Sequence, residues 1–221
     1  MKRTRIISVL LCGILTFTAL LSSCADGKVS LRESGGACVS EKGGTDYRHA
    51  STCYIAASLG DAYGELTVSS KHSVGLFTIP GLDPEEWLVT EEGDVLYAED
   101  VTLPSLSDMA PTEVYVYTNA STPSKSAEIL DKATVDQLTA ACAPDRGVKG
   151  TPQAAANYTV RFKSPAYPGL YYTLRYVEYG GEYFLYDPFD GVTYTVSRAI
   201  RDAVDAAVTT ETQAETEGAA L

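Results

Sequence analysis

The sequence predicts an α+β fold, mainly antiparallel β-sheet, with one mid-chain helix and one C-terminal helix. Segments rich in aromatic and β-branched residues fill positions 157–196, and they are divided by Gly180-Gly181 and Asp190-Gly191. Both dipeptides favour tight hairpin turns that need positive φ, so a C-terminal antiparallel meander is expected. Apolar residues recur at helical spacing near 126–142 and again after Ser197, a residue type that often caps a helix N-terminus.

An export signal is predicted at the N-terminus. Lys2, Arg3 and Arg5 precede an uncharged, largely apolar stretch that ends in small residues, which is the three-part pattern of a secretory signal. The purely apolar portion is short for a bilayer span, which needs about 20 residues. We therefore expect residues 1–23 to be a signal peptide that is cleaved from the mature chain.

Leu21-Ser22-Ser23-Cys24 resembles the lipobox of bacterial lipoproteins: an aliphatic residue, two small residues and then a cysteine. The resemblance covers residues 1–24 only. It implies that Cys24 accepts a diacylglyceryl group, that a dedicated peptidase cuts just before it, and that the mature chain is lipid-anchored on the extracytoplasmic side of a cell membrane. Two or three acyl chains would hold the protein firmly in the bilayer, because each buried methylene contributes about 0.8 kcal/mol to membrane binding. The alternative is an ordinary cleaved signal whose exit happens to contain a cysteine.

Composition divides the rest of the chain into segments. Residues 24–36 are small, polar and charged, and they predict a flexible tether between lipid and domain. Residues 37–143 predict a β-rich N-terminal region that ends in the helix near 126–142. A linker containing Gly and Pro follows, and residues 151–208 predict the antiparallel meander plus C-terminal helix. Residues 209–221 lack bulky apolar side chains and predict a disordered tail.

The charge of the chain excludes one class of partner. Without the three cations of the leader, 14 Lys and Arg face 29 Asp and Glu, a formal net charge of −15. Such a surface repels nucleic acid and anionic headgroups. Nucleic acid is therefore not an expected partner, and the lipid would hold the chain to the membrane without electrostatic help.

Three cysteines remain after Cys12 leaves with the leader and Cys24 takes lipid. Cys38 and Cys53 flank a Gly-Gly turn signal, so two short strands joined there predict a possible disulfide in an exported compartment. Cys142 is left over as a small buried hydrophobe, and reduced thiols throughout are the alternative. The spacing of the cysteines and of the two histidines matches no zinc-finger pattern, so no metal site and no cofactor are predicted.

Tyrosines supply the candidate ligand face. Ten of the 21 aromatic residues lie between positions 167 and 194, and on strands they must fall on both faces of the meander. One face would pack under the helix, and we identify Tyr172, Tyr176, Tyr183 and Tyr186 as the candidate ligand face, since tyrosine suits sugar stacking or peptide recognition. The alternative is that both faces are covered, or that aromatic pairs simply stabilise the sheet.

Catalytic motifs are absent from the sequence. It contains no G-x-S-x-G, no Walker A loop and no G-x-G-x-x-G after a strand. The sequence therefore predicts a lipid-anchored extracytoplasmic binding or structural domain that recognises an envelope protein, a peptide or a glycan. The alternative is a cell-envelope hydrolase that uses two carboxylates facing a substrate.

Overall fold

The computed structural model describes residues 29–118, 125–129, 131–152, 154, 156, 158–206 and 208. Strands predominate among them and helices are present, in agreement with the predicted α+β class. The strands form a closed barrel and a larger sheet rather than a simple meander. The leader, Cys24 and the tail predicted over 209–221 lie outside the described residues.

The regular elements of residues 29–98 are all strands, namely β1 (Val29–Ser34), β2 (Ala37–Ser40), β3 (Tyr47–His49), β4 (Tyr54–Ala56), β5 (Ala62–Ser69), β6 (His72–Thr78), β7 (Trp87–Thr90) and β8 (Val95–Ala98). The described part of the remainder forms α1 (Leu106–Met109), β9 (Glu113–Thr118), β10 (Lys125–Ile129), α2 (Lys132–Ala141), a 3-10 turn (Pro144–Arg146), β11 (Val148–Lys149), β12 (Tyr158–Lys163), β13 (Leu170–Tyr179), β14 (Glu182–Asp187), β15 (Val192–Thr195) and α3 (198–206).

The barrel follows the order β1-β2-β3-β8-β7-β6-β5 and closes where β5 pairs with β1. Its neighbours are antiparallel except for this closing pair, which is parallel. At the closure Val29 lies opposite Gly64, and a Cβ on Gly64 would stand only 2.1 Å from the Val29 carbonyl oxygen. The interior is filled by Leu31, Cys38, Tyr47, Leu66, Val74, Leu76, Leu88, Leu96 and Ala98.

The flexible tether predicted over 24–36 is wrong from Val29 onward. Residues Val29–Ser34 form β1, which pairs with β2 on one side and β5 on the other. The reason is visible in the side chains, because Leu31 is fully buried in the barrel while the charged residues that follow it are exposed. A single inward-facing leucine on a polar strand suffices once both strand edges are paired.

The larger sheet runs β10-β9-β12-β13-β14-β15-β11, and β4 joins it by pairing with the start of β13. The predicted hairpins at Gly180-Gly181 and Asp190-Gly191 are confirmed, with positive φ at Gly180, Gly181 and Gly191. Helices α2 and α3 pack on one face, where the buried residues are Cys53, Leu106, Val114, Val116, Val135, Leu138, Ala141, Cys142, Val160, Phe162, Leu174, Tyr176, Leu185, Val196, Ile200 and Val204.

Two boundaries differ from prediction. The helix predicted near 126–142 begins only at Lys132, because Lys125–Ile129 is strand β10 and Asp131 caps the helix by accepting the backbone N–H of Thr134 at 2.8 Å. The Gly- and Pro-containing stretch after α2 does not separate two domains. It forms the 3-10 turn and β11, which pairs with β15 as part of the sheet.

A shared hydrophobic cluster joins barrel and sheet. Trp87, the only tryptophan of the chain, is 2% exposed, and its ring centroid lies 6.0 Å from that of Tyr167. Ile79 from the barrel and Leu170 from β13 are buried in the same cluster. Close backbone contact accompanies this packing, since a Cβ on Gly169 would stand 2.2 Å from the Pro80 carbonyl oxygen. Barrel and sheet are therefore packed as one body.

Candidate ligand-binding face

The strand register divides the four predicted tyrosines between the two faces of the sheet. Tyr176 lies opposite Leu185, so both point toward the helices, and Tyr176 is 1% exposed. Tyr172 and Tyr183 are half-buried and pack against the same core, whereas Tyr186 lies opposite Arg175 on the other face. The predicted grouping is therefore wrong. Its physical reason is the two-residue period of strands, which sends neighbours in sequence to opposite sides.

Burial also keeps the hydroxyl groups of Tyr172 and Tyr176 in their neutral form. Desolvation raises the pKa of Tyr172 and that of Tyr176 well above the ordinary value of tyrosine. The Tyr183 ring instead lies under the guanidinium of Arg201 from α3, at 5.5 Å. These side chains therefore pack between the sheet and the helices, as expected if the tyrosines serve to stabilise the fold.

The opposite side of the sheet carries a different group, which the sequence analysis did not select. We define the open face as Tyr115, Tyr117, Arg161, Lys163 and Tyr171, which come from β9, β12 and β13. All five side chains are half-buried. They share one side because Arg161 lies directly opposite Tyr115, and Lys163 directly opposite Tyr171. Helices α2 and α3 pack on the other side.

Arg161 is the centre of the open face. Its guanidinium carbon lies 4.3 Å from the ring centroid of Tyr117 and 5.9 Å from that of Tyr171. Tyr115 meets Tyr171 edge-on, with centroids 6.0 Å apart and an interplanar angle of 85°. Cations over aromatic rings are attracted by the ring quadrupole, by about 0.5–2 kcal/mol depending on exposure. The rings therefore hold the Arg161 side chain in one position.

The two cations of the open face differ in their pairing. Lys163 forms a salt bridge with Glu113, with Nζ and Oε2 2.8 Å apart. Tyr115 donates its hydroxyl hydrogen bond to the same carboxylate, which raises the pKa of Tyr115 to about 12. Arg161, in contrast, has a buried Nε with no hydrogen-bond acceptor among the described residues, and its guanidinium pairs with no described carboxylate.

A second guanidinium extends this charge. Arg175 is exposed on the same side of the sheet, opposite Thr159 on β12 and Tyr186 on β14, and the described residues include no ion-pair partner for it. On the barrel, Arg32 and Arg48 pair with Glu41 and Glu99. Arg161 and Arg175 thus lie on one side of the sheet without a described carboxylate partner, on a chain whose net charge is −12.

A groove lies farther along the same side of the sheet. Val148, Tyr179, Phe184 and Pro152 line a cavity of about 520 Å³. Val148 is 67% exposed and Tyr179 is 50% exposed, so the groove is open and largely apolar. The hydroxyls of Thr151, which lines the groove, and Tyr186 lie 3.2 Å apart, and this contact places the chain after β11 on this side of the sheet.

The acidic residues of the barrel bear on the hydrolase alternative. Asp46, Asp83, Glu85 and Glu99 line an open cleft of about 690 Å³, and all but the half-buried Asp46 are exposed. They already accept bonds, since Tyr63 donates to Glu85 at 2.8 Å and the backbone N–H of Ser40 donates to Asp46 at 2.8 Å. A general acid needs a desolvated carboxyl with a raised pKa, and this cleft offers solvated, bonded ones.

All three remaining cysteines are buried, free thiols. The predicted disulfide between Cys38 and Cys53 is therefore wrong, because Cys38 lies in the barrel interior and Cys53 in the core under the helices. Desolvation raises the pKa of Cys38 to about 11 although its sulfur lies 3.5 Å from Nε2 of His49. Burial likewise raises the pKa of Cys53 and that of Cys142, with Asp187 adding to both shifts. None of the three is a thiolate nucleophile at neutral pH.

Two further observations complete the description. In the part of the chain that the structure describes, no helix combines the length and the hydropathy needed for a membrane span. Comparison of the chain with protein-family models, with curated proteins and with solved structures finds no match.

Proposed function

We propose that this chain is a lipid-anchored extracytoplasmic binding protein whose ligand contacts the open face of the sheet. The lipobox over Leu21–Cys24 supports the anchor. The observation that carries the binding role is Arg161, a partly buried cation that aromatic rings hold in place and that has no acceptor among the described residues. The side chain is only partly buried, and a hydrogen bond from its charged guanidinium to a ligand acceptor would contribute about 1.5–3 kcal/mol.

The acidic cleft of the barrel does not favour the alternative function, a carboxylate hydrolase. The acids of the barrel cleft are exposed, and their bonds to Tyr63, Thr45 and backbone N–H groups account for their positions. Binding through side chains of a rigid sheet requires no carboxyl group with a raised pKa. The open face lies on three strands that are each hydrogen-bonded on both sides, so its side chains are held by a fixed backbone.

The anchor is tested by replacing its lipid acceptor. A Cys24→Ala variant has no thiol to acylate, so we expect it to leave the membrane fraction and to keep its leader. A Cys12→Ala variant, altered inside the leader, is the matched control and should fractionate as the wild type does. Membrane attachment and cleavage that persist in Cys24→Ala would contradict the lipoprotein proposal.

The binding role is tested with insoluble envelope material from the producing cells. Wild-type chain should sediment with this material, and Arg161→Gln should sediment far less because it cannot present a charged fork to an acceptor. Arg48→Gln removes an equal charge from the barrel and is the control, which should sediment like the wild type. Equal sedimentation of wild type and Arg161→Gln would show that the open face is not the binding surface.

A further inference from the structure

We infer that the ligand of the open face is an acidic glycan, in which a sugar ring stacks on the tyrosines and its carboxylate binds Arg161. This inference rests on the proposed binding function and names the ligand class. Three observations carry it: the unpaired guanidinium groups of Arg161 and Arg175, the rings around Arg161, and the pairing of the three strands of the open face on both of their edges.

Two guanidinium groups of the sheet carry unpaired charge. Arg161 and Arg175 lie on adjacent strands of the same side, and neither has a carboxylate partner among the described residues. A guanidinium presents planar donors that match a carboxylate bidentately, and such bonds are stronger than neutral ones. On a chain with 29 acidic side chains, two guanidiniums left unpaired on one surface fit an external anion.

The tyrosine rings around Arg161 favour a ligand that contains a ring as well as a negative charge. Tyr115, Tyr117 and Tyr171 surround Arg161, and the edge-on contact of Tyr115 with Tyr171 fixes two of these rings relative to each other. Tyrosine combines an apolar ring with a hydroxyl, so it contacts both the C–H face of a pyranose and its hydroxyl groups. A ligand that is both anionic and ring-shaped uses all of these groups, whereas a simple inorganic anion uses only the guanidinium.

The backbone disfavours a peptide ligand. Peptides that bind β-sheets gain affinity chiefly from main-chain hydrogen bonds to a free edge. Here β9 pairs with β10 and β12, β12 pairs with β9 and β13, and β13 pairs with β12 and β14. The open face therefore offers side chains alone, and these suit a carboxylated sugar better than an extended chain.

Binding of short probes to the purified full chain tests the inference. Trigalacturonic acid is the carboxylated sugar probe, maltotriose the neutral sugar probe and triglutamate the acidic peptide probe, each titrated calorimetrically. We expect only trigalacturonic acid to bind. We expect Arg161→Gln to weaken it about tenfold or more, as the loss of one charged hydrogen bond predicts. Tyr117→Ala should also weaken it, because this variant removes the ring that contacts the Arg161 guanidinium.

Variants that separate binding from folding complete the test. Arg175→Gln alters an exposed side chain without a described partner, so it should keep the thermal midpoint of the wild type and still weaken trigalacturonic acid. Arg48→Gln, on the barrel, should leave the affinity unchanged. If triglutamate binds as tightly as trigalacturonic acid, or if neither arginine variant of the sheet weakens the sugar, the glycan inference is overturned.

The result also distinguishes the two proposals. If envelope material still sediments the chain in an Arg161-dependent way while trigalacturonic acid does not bind, the ligand class is wrong and the binding face stands. If Arg161→Gln changes neither measurement, the open face itself is overturned as the binding surface.

Discussion

Asp187 illustrates how one buried polar side chain can hold a hairpin together. It is 2% exposed, and its Oδ1 accepts the backbone N–H of Phe189 at 2.8 Å and that of Asp190 at 3.0 Å. These two donors belong to the turn between β14 and β15, so the carboxylate takes the place of main-chain acceptors there. Two backbone hydrogen bonds thus offset the cost of burying this polar side chain.

Removing this acceptor should destabilise the chain. Asp187→Ala leaves two turn N–H groups without a bond, so we expect the free energy of unfolding to fall by about 1–3 kcal/mol or more, measured by urea denaturation. Asp190→Ala, in the same turn but exposed, is the control and should change stability little. Equal effects of the two variants would contradict this role of Asp187.

The buried thiols predict a loss of stability in alkali. Cysteine in an unfolded chain ionises near pH 8.5, whereas burial raises the pKa of Cys38 to about 11 and that of Cys142 to about 12. Folding thus favours the neutral thiol, so this contribution is complete below about pH 8.5 and is lost as the pH rises through the folded values. Each thiol can lower the free energy of unfolding by about 1.4 kcal/mol per pH unit in this window.

Urea denaturation at pH 8 and at pH 10 measures this effect. We expect the wild type to be less stable at pH 10, and Cys38→Ser to lose less stability between the two pH values because serine does not ionise there. Unfolding free energies that are equal at the two pH values would refute the assignment of buried neutral thiols.

At the scale of elements, the closure of the barrel depends on one glycine. A Cβ on Gly64 would stand 2.1 Å from the Val29 carbonyl oxygen and 3.0 Å from the Val29 nitrogen. Both are backbone atoms of the paired strand β1, so no flexible side chain can move aside. The parallel pairing of β1 with β5 therefore requires a residue without a side chain at this position.

Gly64→Ala should separate β1 from β5. Overpacking of this kind costs about 1–3 kcal/mol, and more where backbone must shift, so we expect a lower urea midpoint and faster amide exchange in β1. Gly44→Ala is the control, since a Cβ there meets side-chain atoms of Ser40 and no backbone, the nearest being the hydroxyl at 3.3 Å. If the two variants unfold at the same midpoint, the closure does not depend on Gly64.

Local elements of this fold were predictable from sequence, and long-range ones were not. The hairpins at Gly180-Gly181 and Asp190-Gly191 follow from turn chemistry within a few residues. The parallel pair β1 and β5 joins segments about 35 residues apart through a polar strand, and no local pattern marks it. The open face was missed for the same reason. The alternation of Tyr115 with Tyr117 is readable, but the register that brings Arg161 beside them is not.

For the whole molecule, the cluster around Trp87 determines whether barrel and sheet unfold together. Leu170 from the sheet and Ile79 from the barrel are both almost fully buried in this cluster, which contains residues of both parts of the molecule. Because each module contributes an apolar surface that the other covers, separation would expose both to water. The packing therefore favours one cooperative transition over two independent ones.

Trp87 provides the measurement. Its fluorescence should change at the same urea concentration as the far-ultraviolet circular dichroism of the whole chain. Leu170→Ala should lower both urea midpoints together, because truncating a buried leucine lowers the free energy of unfolding by about 2–5 kcal/mol. Leu59→Ala, at an exposed position, should leave both midpoints unchanged. Fluorescence that changes well before the circular dichroism would show that barrel and sheet unfold separately.

The pairing of β1 on both edges has a consequence for how freely the protein could move on a membrane. If Cys24 carries lipid, only five peptide units separate the acyl chains from Val29, a span of at most about 18 Å. Because β1 is hydrogen-bonded to β2 and to β5, its residues cannot lengthen this linker without breaking both pairings. The short linker would keep the barrel close to the lipid headgroups, so the protein would bind only ligands that reach the membrane surface.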